Sequence, residues 1–434
     1  MKKLLILLSP IALLFAMMIT LTSCSSEESI VLNVYNWGEY ISDGFEGSMD
    51  VNAEFEKYCS MKLGKKVTVN YSTYASNEDM YAKLSQFENG QYPYDIVIPS
   101  DYMIQKLIDN KMLEPFGAET IPNYKYINED FKKPYYDENE LYSVPYTYGM
   151  IGVIYNKEFV DREDYEKQSW DLLWNPKYKG KILQFNNPRD AFATAMYLES
   201  INVNSQKKED WDKALEKLKE QKPLVQAYVN DEIFNKMETA SAAIAPYYAG
   251  DFLTMENEDL DFYYPKEGVN YFVDAMCILK GSKNVDIAKE YINFMLDREA
   301  AVANALYIGY ASPNNLVVND EEYQSAMLSD YGERALEILY GTQPKLHNAE
   351  YNEKFGTTCY EDFTKDIQDH VNELWESLKT EHSTEIWIHI TTAAIVVGVV
   401  SLAVYTTYIK KKRSRDYRMR DKAARLAKQQ KKTG

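Results

Sequence analysis

The chain has 434 residues, with 48 Lys and Arg against 66 Asp and Glu, a formal net charge of −18 and 37 tyrosines. So acidic a balance repels nucleic acid and favours a cationic partner, and the length exceeds one small core and suffices for two lobes. Outside the first 24 residues only Cys59, Cys277 and Cys359 occur, an odd, widely spaced set that forms no disulfide framework and leaves a Cys59–Cys359 bridge open.

The N-terminus opens Met1-Lys2-Lys3, runs apolar from Leu4 to about Leu21 and closes with Leu21-Thr22-Ser23-Cys24. That layout is a secretion signal. The small residues before Cys24 resemble a lipobox, so residues 1–24 are expected to be a lipoprotein signal peptide with Cys24 carrying the lipid.

Beyond it the pattern alternates. Val31 to Tyr35 reads as a strand, Val51 to Met61 as a helix, Lys66 to Tyr71 as a half-buried strand, Ser76 to Glu88 as a capped helix and Tyr94 to Ile98 as a buried strand. This βαβαβ order implies a parallel sheet covered by helices. Further strands are expected at Gly149 to Tyr155, Lys181 to Phe185 and Ala240 to Pro246, with helices from about Asp190 and over Val285 to Met295. At the other end, Ile386 to Ile409 is uncharged for 24 residues, enough for one transmembrane helix of ~20 residues. Residues 410–434 carry twelve Lys and Arg against Asp416 and Asp421, which places this tail in the cytoplasm beside anionic lipid and the rest of the chain outside. Without the twelve and the two lysines at the start, 34 basic residues face 64 acidic ones. Such a surplus concentrates cations.

Ligands of open α/β sheets collect beyond the carboxyl ends of the strands. Trp37 to Tyr40 follows the first expected strand and Pro99 to Tyr102 the third, and both loops are polar and aromatic. Most tyrosines are ordinary strand or surface residues, but aromatic faces in such loops bind ammonium groups. A single carboxylate is usually a solvated surface group, whereas Asp274 is flanked by Phe272, Val273, Ala275 and Met276 and reads as a buried ligand. No H-E-x-x-H, C-x-x-C, Walker or G-x-S-x-G pattern occurs, and His347, His370, His382 and His389 are scattered; no enzyme, cofactor or metal is indicated.

Several motifs in order carry a resemblance over about residues 30 to 320: Tyr35-Asn36-Trp37-Gly38-Glu39-Tyr40, Tyr71-Ser72-Thr73-Tyr74, Tyr94-Asp95-Ile96-Val97-Ile98-Pro99-Ser100, Ser143-Val144-Pro145-Tyr146, Ser169-Trp170-Asp171-Leu172-Leu173-Trp174 and Ile308-Gly309-Tyr310-Ala311-Ser312-Pro313-Asn314. Together they resemble the spermidine/putrescine-binding proteins of polyamine ABC transporters. The resemblance implies an α/β, type II periplasmic-binding-protein fold with two lobes, a hinge and a ligand cleft, to which the C-terminal transmembrane helix is added. Lobe 1 would be residues 30–147 with about 275–320, and lobe 2 residues 148–274 with about 321–380, followed by the helix at 386–409 and the tail at 410–434. Carried over, Trp37, Gly38, Tyr40, Ser100, Tyr102, Asn187, Asp190, Tyr248, Asp251, Phe272, Asp274 and Tyr310 would bind the polyamine. Asn187 is neutral where spermidine binders often carry a carboxylate, and Phe272 replaces a frequent tryptophan; with Asp251 present, both resemble the putrescine-preferring branch. The implied partners are putrescine or spermidine, an ABC permease with a separate ATPase and membrane lipid, at the outer face of the cytoplasmic membrane. A tethered solute sensor, or the same fold holding another small cation, is the competing reading.

Overall fold

The computed structural model describes residues 29–87, 90–341 and 357–430. The signal peptide and Cys24 lie outside them. The first unit runs to Asp369 and the second from His370.

The opening alternation is present as β1 (Ile30–Trp37), α1 (Val51–Leu63), β2 (Val67–Tyr74), α2 (Asn77–Leu84), β3 (Ile96–Val97) and α3 (Asp101–Asp109). Side chains set these starts and stops. Asp50 accepts from the Ala53 N–H at 2.9 Å to begin α1, and Gly64, at φ 65°, supplies the left-handed residue that ends it. Ser76 accepts from the Asp79 N–H at 3.1 Å to begin α2, which stops at Leu84, short of the Glu88 that the sequence suggests. β3 is shorter than the apolar run around it, because Asp95 and Ile98 continue to bond the β1 backbone at Asn33 and Tyr35 without forming a full ladder.

The chain continues through β4 (Ser143–Asn156), β5 (Ile182–Phe185), α4 (Pro188–Leu198), α5 (Lys208–Gln221), β6 (Val225–Val229), α6 (Glu232–Glu238), β7 (Ile244–Tyr248), α7 (Ala249–Leu253), β8 (Leu260–Tyr263), β9 (Val269–Ile278), α8 (Val285–Met295), α9 (Arg298–Ile308), α10 (Glu321–Tyr331), β10 (Thr357–Thr358) and α11 (Lys365–Gln430). β4 begins six residues before the expected Gly149, where the buried Asp137 carboxylate accepts from both the N–H and the hydroxyl of Ser143 at 3.0 Å.

The ten strands of the described residues form one sheet in the order β2-β1-β3-β9-β4-β7-β5-β6, with β10 added to β9 and β8 to β4. Two parallel groups, β2-β1-β3 and β7-β5-β6, are joined by the antiparallel pair β9-β4. β4 passes between them: its first part, Ser143 to Met150, pairs with β9, and Ile151 onward pairs with β7 and β8. Every residue of β4 and β9 is buried, as expected for strands covered on both faces. The register shifts between Pro145 and Thr147, where proline has no N–H for the ladder, and the shift sets Thr147 opposite Asp274.

In α11, the stretch Thr391–Lys412 is long and apolar enough to cross a membrane, five residues later at its start than the expected Ile386. Its Ile395, Val399, Leu402 and Val404 are exposed, a face suited to hydrocarbon and not to water.

Candidate ligand site

The loops that leave the carboxyl ends of the parallel strands supply the site, and β9 supplies its floor. β1 leads to Trp37 and Tyr40, β3 to Ser100, β5 to Asn187 and Asp190, and β7 to Tyr248 and Asp251, while Phe272 and Asp274 sit within β9.

Asp274 is 3% exposed. Its Oδ2 accepts from the Tyr40 hydroxyl at 2.6 Å, and Tyr40 in turn accepts from Thr147 Oγ1 at 2.5 Å. Ser100 joins Asp274 through a backbone bridge, and Oδ1 is buried without a hydrogen bond of sound geometry. Burial pushes the Asp274 carboxyl up to about 6, against the pull of the Ser100 and Tyr40 hydroxyls. Asp251 is half-buried and accepts from the Tyr310 hydroxyl at 2.6 Å. Burial raises it to about 7, with Tyr310 pulling down and Asp231 adding repulsion.

Asp190, 5% exposed, is more heavily solvated by protein. Its Oδ2 accepts from Asn187 Nδ2 at 2.8 Å and from the Tyr248 hydroxyl at 2.6 Å, and its Oδ1 from the Tyr360 hydroxyl at 2.9 Å. Asn187 is also the N-cap of α4, taking the Asp190 N–H on Oδ1 at 2.8 Å, so one asparagine both starts the helix and orients the carboxylate.

Aromatic rings connect the three acids. The Tyr310 ring centroid lies 5.5 Å from Tyr40, 5.7 Å from Phe272 and 6.5 Å from Tyr248, all edge-on. Tyr248 and Phe272 are 5.5 Å apart. Two glycines permit this approach: a Cβ on Gly250 would stand 1.5 Å from Tyr310 Cδ1, and one on Gly149 would stand 2.8 Å from Phe272 Cζ. The arrangement therefore presents buried carboxylates inside a wall of π-faces, a chemistry suited to organic ammonium groups.

The family of bacterial extracellular solute-binding proteins matches residues 52–328. The chain belongs to that family. As a solute-binding protein it is a carrier of ligand and not an enzyme. Among its relatives, the spermidine/putrescine-binding periplasmic protein of Escherichia coli (strain K12) is 29% identical over 301 residues, 69% of this chain and 82% of that protein. The putrescine/cadaverine-binding protein of Pseudomonas aeruginosa is 27% identical over 300 residues, 65% of this chain and 79% of its own. Among solved structures, the substrate-binding protein of a spermidine/putrescine ABC transporter from Streptococcus pneumoniae is 30% identical, covers 81% of this chain and 99% of its own, and superposes with a TM-score of 0.62. The periplasmic-binding-protein fold expected from the sequence is thus present.

Of the residues singled out from the sequence, the structure links Tyr40, Asp274, Phe272, Tyr310, Asp251, Tyr248, Asp190 and Asn187 into one network, with Ser100 bridged to it. Tyr102 stands beside it, its hydroxyl donating to Glu78 Oε1 at 2.9 Å and its ring 6.3 Å from Tyr360. Trp37 packs against Tyr74 with ring centroids 4.7 Å apart and tilted by 53°, and Gly38 is exposed. Cys59, Cys277 and Cys359 are free thiols, which closes the question of a Cys59–Cys359 bridge. Thr147 and Tyr360 escaped the sequence reading. Thr147 depends on a register shift and Tyr360 on the pairing of β10 with β9, neither of which leaves a local signal; Gly250, between Ala249 and Asp251, was the readable hint of close backbone approach.

Proposed function

We propose that this solute-binding protein captures a polyamine, putrescine or spermidine, and delivers it to an ABC permease served by a separate ATPase. The observation that carries the reading is the network of three carboxylates, each met by a tyrosine hydroxyl and walled by Tyr40, Tyr248, Phe272 and Tyr310. An ammonium group stripped of water requires a carboxylate, and an unpaired buried charge of either sign is costly. Asp274 would hold one amine and Asp251 or Asp190 the other. The methylene chain would lie against Phe272 and the tyrosine rings, with Trp37 and Gly38 at the mouth and Ser100, Tyr102 and Asn187 as polar neighbours. Charge-assisted hydrogen bonds of ~1.5–3 kcal/mol each, with the apolar contact, suffice for the roughly −8 kcal/mol of micromolar binding.

In this reading residues 30–147 with about 275–320 form one lobe and residues 148–274 with about 321–380 the other. β4 and β9 are the crossing segments about which they close. Contacts from both lobes supply the differential affinity that closure needs. Cys24 would carry lipid, Thr391–Lys412 would span the membrane, and the basic tail would lie in the cytoplasm.

The test is calorimetric titration of the detergent-solubilised chain with putrescine, spermidine, spermine and a panel of amino acids, beside Asp274→Asn. The expected outcome is micromolar or tighter binding of a polyamine, weakened about 100-fold or more by the substitution. Binding of an amino acid in place of every polyamine would refute the ligand while leaving the family and fold intact.

A further inference from the structure

Ser100 and Tyr102 share one buried neighbour. Asn77, the first residue of α2 and 4% exposed, clasps the start of α3. Its Oδ1 accepts from the Ser100 N–H at 3.3 Å, and its Nδ2 donates to the hydroxyl oxygens of Ser100 and Tyr102, each at 3.1 Å. An asparagine amide nitrogen has hydrogens to give and accepts none. Both hydroxyls are therefore acceptors toward Asn77, and each turns its own hydrogen elsewhere.

For Tyr102 that hydrogen goes to Glu78 Oε1 at 2.9 Å. For Ser100 the acceptor is Asp274, to which it is bridged through the backbone and whose carboxyl its hydroxyl pulls down against burial. The start of α3 shows what this arrangement displaces. Ser100 is the N-cap of α3, the position from which a serine oxygen ordinarily takes an N–H of the first turn, and it makes no such bond. The Tyr102 N–H turns instead to Asp101 Oδ1 at 2.7 Å. The titratable groups facing Asp274 are Tyr40 after β1, Tyr74 of β2, Asp101 at the start of α3 and Tyr136 before β4; those facing Glu78 are Tyr102, Arg189 and Asp190.

We propose that Asn77 is a positioning residue of the site, which holds the Ser100 and Tyr102 hydroxyls as hydrogen-bond donors toward the acids Asp274 and Glu78. Its part in ligand capture rests on the reading above of Asp274 as an ammonium anchor. Asn77 acts through its neighbours and not by touching the ligand. A carboxylate met by the hydroxyl hydrogens of Tyr40 and Ser100 is favoured in its charged form, which is the form that an ammonium group requires. An acceptor at position 77 would take both hydrogens and leave oxygen lone pairs facing the two acids.

Asn77→Asp makes that reversal with almost no change of shape, since an ionised carboxylate only accepts. The experiment follows the protonation of Asp274 in the ligand-free, detergent-solubilised full chain by pH-titrated infrared difference spectra, with Asp274→Asn in each background isolating its carboxyl band. In Asn77→Asp the Asp274 midpoint is expected to rise by about half a pH unit or more; Ser100→Ala is expected to raise it comparably in wild type and hardly at all beside Asn77→Asp. A midpoint that stays or falls in Asn77→Asp would overturn the proposal, as would a Ser100→Ala shift undiminished in that background, which would mean that position 77 acts by charge alone. Should Asn77→Asp not fold, Asn77→Ala releases the same hydroxyls and is read by the same comparisons. Calorimetric titration with putrescine gives the second readout: the ratio of affinity near pH 8 to that near pH 6 is expected to widen about twofold or more in Asn77→Asp. An unchanged ratio would remove Asn77 from ligand capture. Failure of wild type to bind putrescine at either pH would count against the polyamine reading, while the infrared comparison would still decide the role of Asn77.

Discussion

The acids of the site accept hydrogen bonds from tyrosine hydroxyls. Tyr40 on Asp274 and Tyr310 on Asp251 each supply one hydrogen bond at 2.6 Å, yet burial still wins and raises these acids to about 6 and about 7. A cation brought against them favours the ionised form, so binding must expel protons. Calorimetry near pH 6.5 in buffers of different ionisation enthalpy is expected to show net proton release, and affinity is expected to fall as pH drops from about 8 to about 5. An affinity flat across that range would mean that neither acid contacts the amine. At this scale the sequence was informative where a residue's neighbours are its chain neighbours. Asp274 stood out because it is embedded in an apolar run, while the Tyr360 hydroxyl that Asp190 accepts comes from 170 residues away and left no local trace.

At the scale of elements, the site depends on small residues where an aromatic ring meets backbone. Gly250, the second residue of α7, lies against Tyr310, and a methyl group there cannot coexist with the ring. Gly250→Ala is expected to push Tyr310 off Asp251, weaken polyamine binding by about tenfold or more and cost about 1–3 kcal/mol of stability. Titration beside thermal melts checks both; unaltered binding would place Tyr310 outside the ligand's path. Helix boundaries were legible because capping is local: Ser76 and Asp50 each bond an N–H three residues on. Strand lengths were less so. β4 gains its first six residues from Asp137, and β3 loses most of its expected length, since a ladder belongs to its partners as much as to its own residues.

For the whole molecule, buried acids weaken the empty protein. Asp274 and Asp251 have folded values above the ordinary 3.8, and Asp101, held by burial at about 8, is a third. The folded state therefore binds more protons than the unfolded state between about pH 4 and pH 8, and stability falls as pH rises through that window. The ligand-free chain is expected to melt several degrees higher near pH 5 than near pH 7.5, a gap that saturating polyamine reduces. A melting temperature that rises over the same interval without ligand would show that other groups dominate. By itself the sequence determined the alternating α/β class, the helix starts, an apolar C-terminal stretch (read at Ile386–Ile409, found at Thr391–Lys412) and the aromatic, acidic loops after the strands, because periodicity, capping and apolar length act over a few residues. Only the tertiary structure decided which hydroxyl each acid receives. Those choices rest on hydrogen bonds between residues 234 apart, for Tyr40 and Asp274, and 170 apart, for Tyr360 and Asp190, and contacts at such separations exist only once β9 has paired with β4 and with β10.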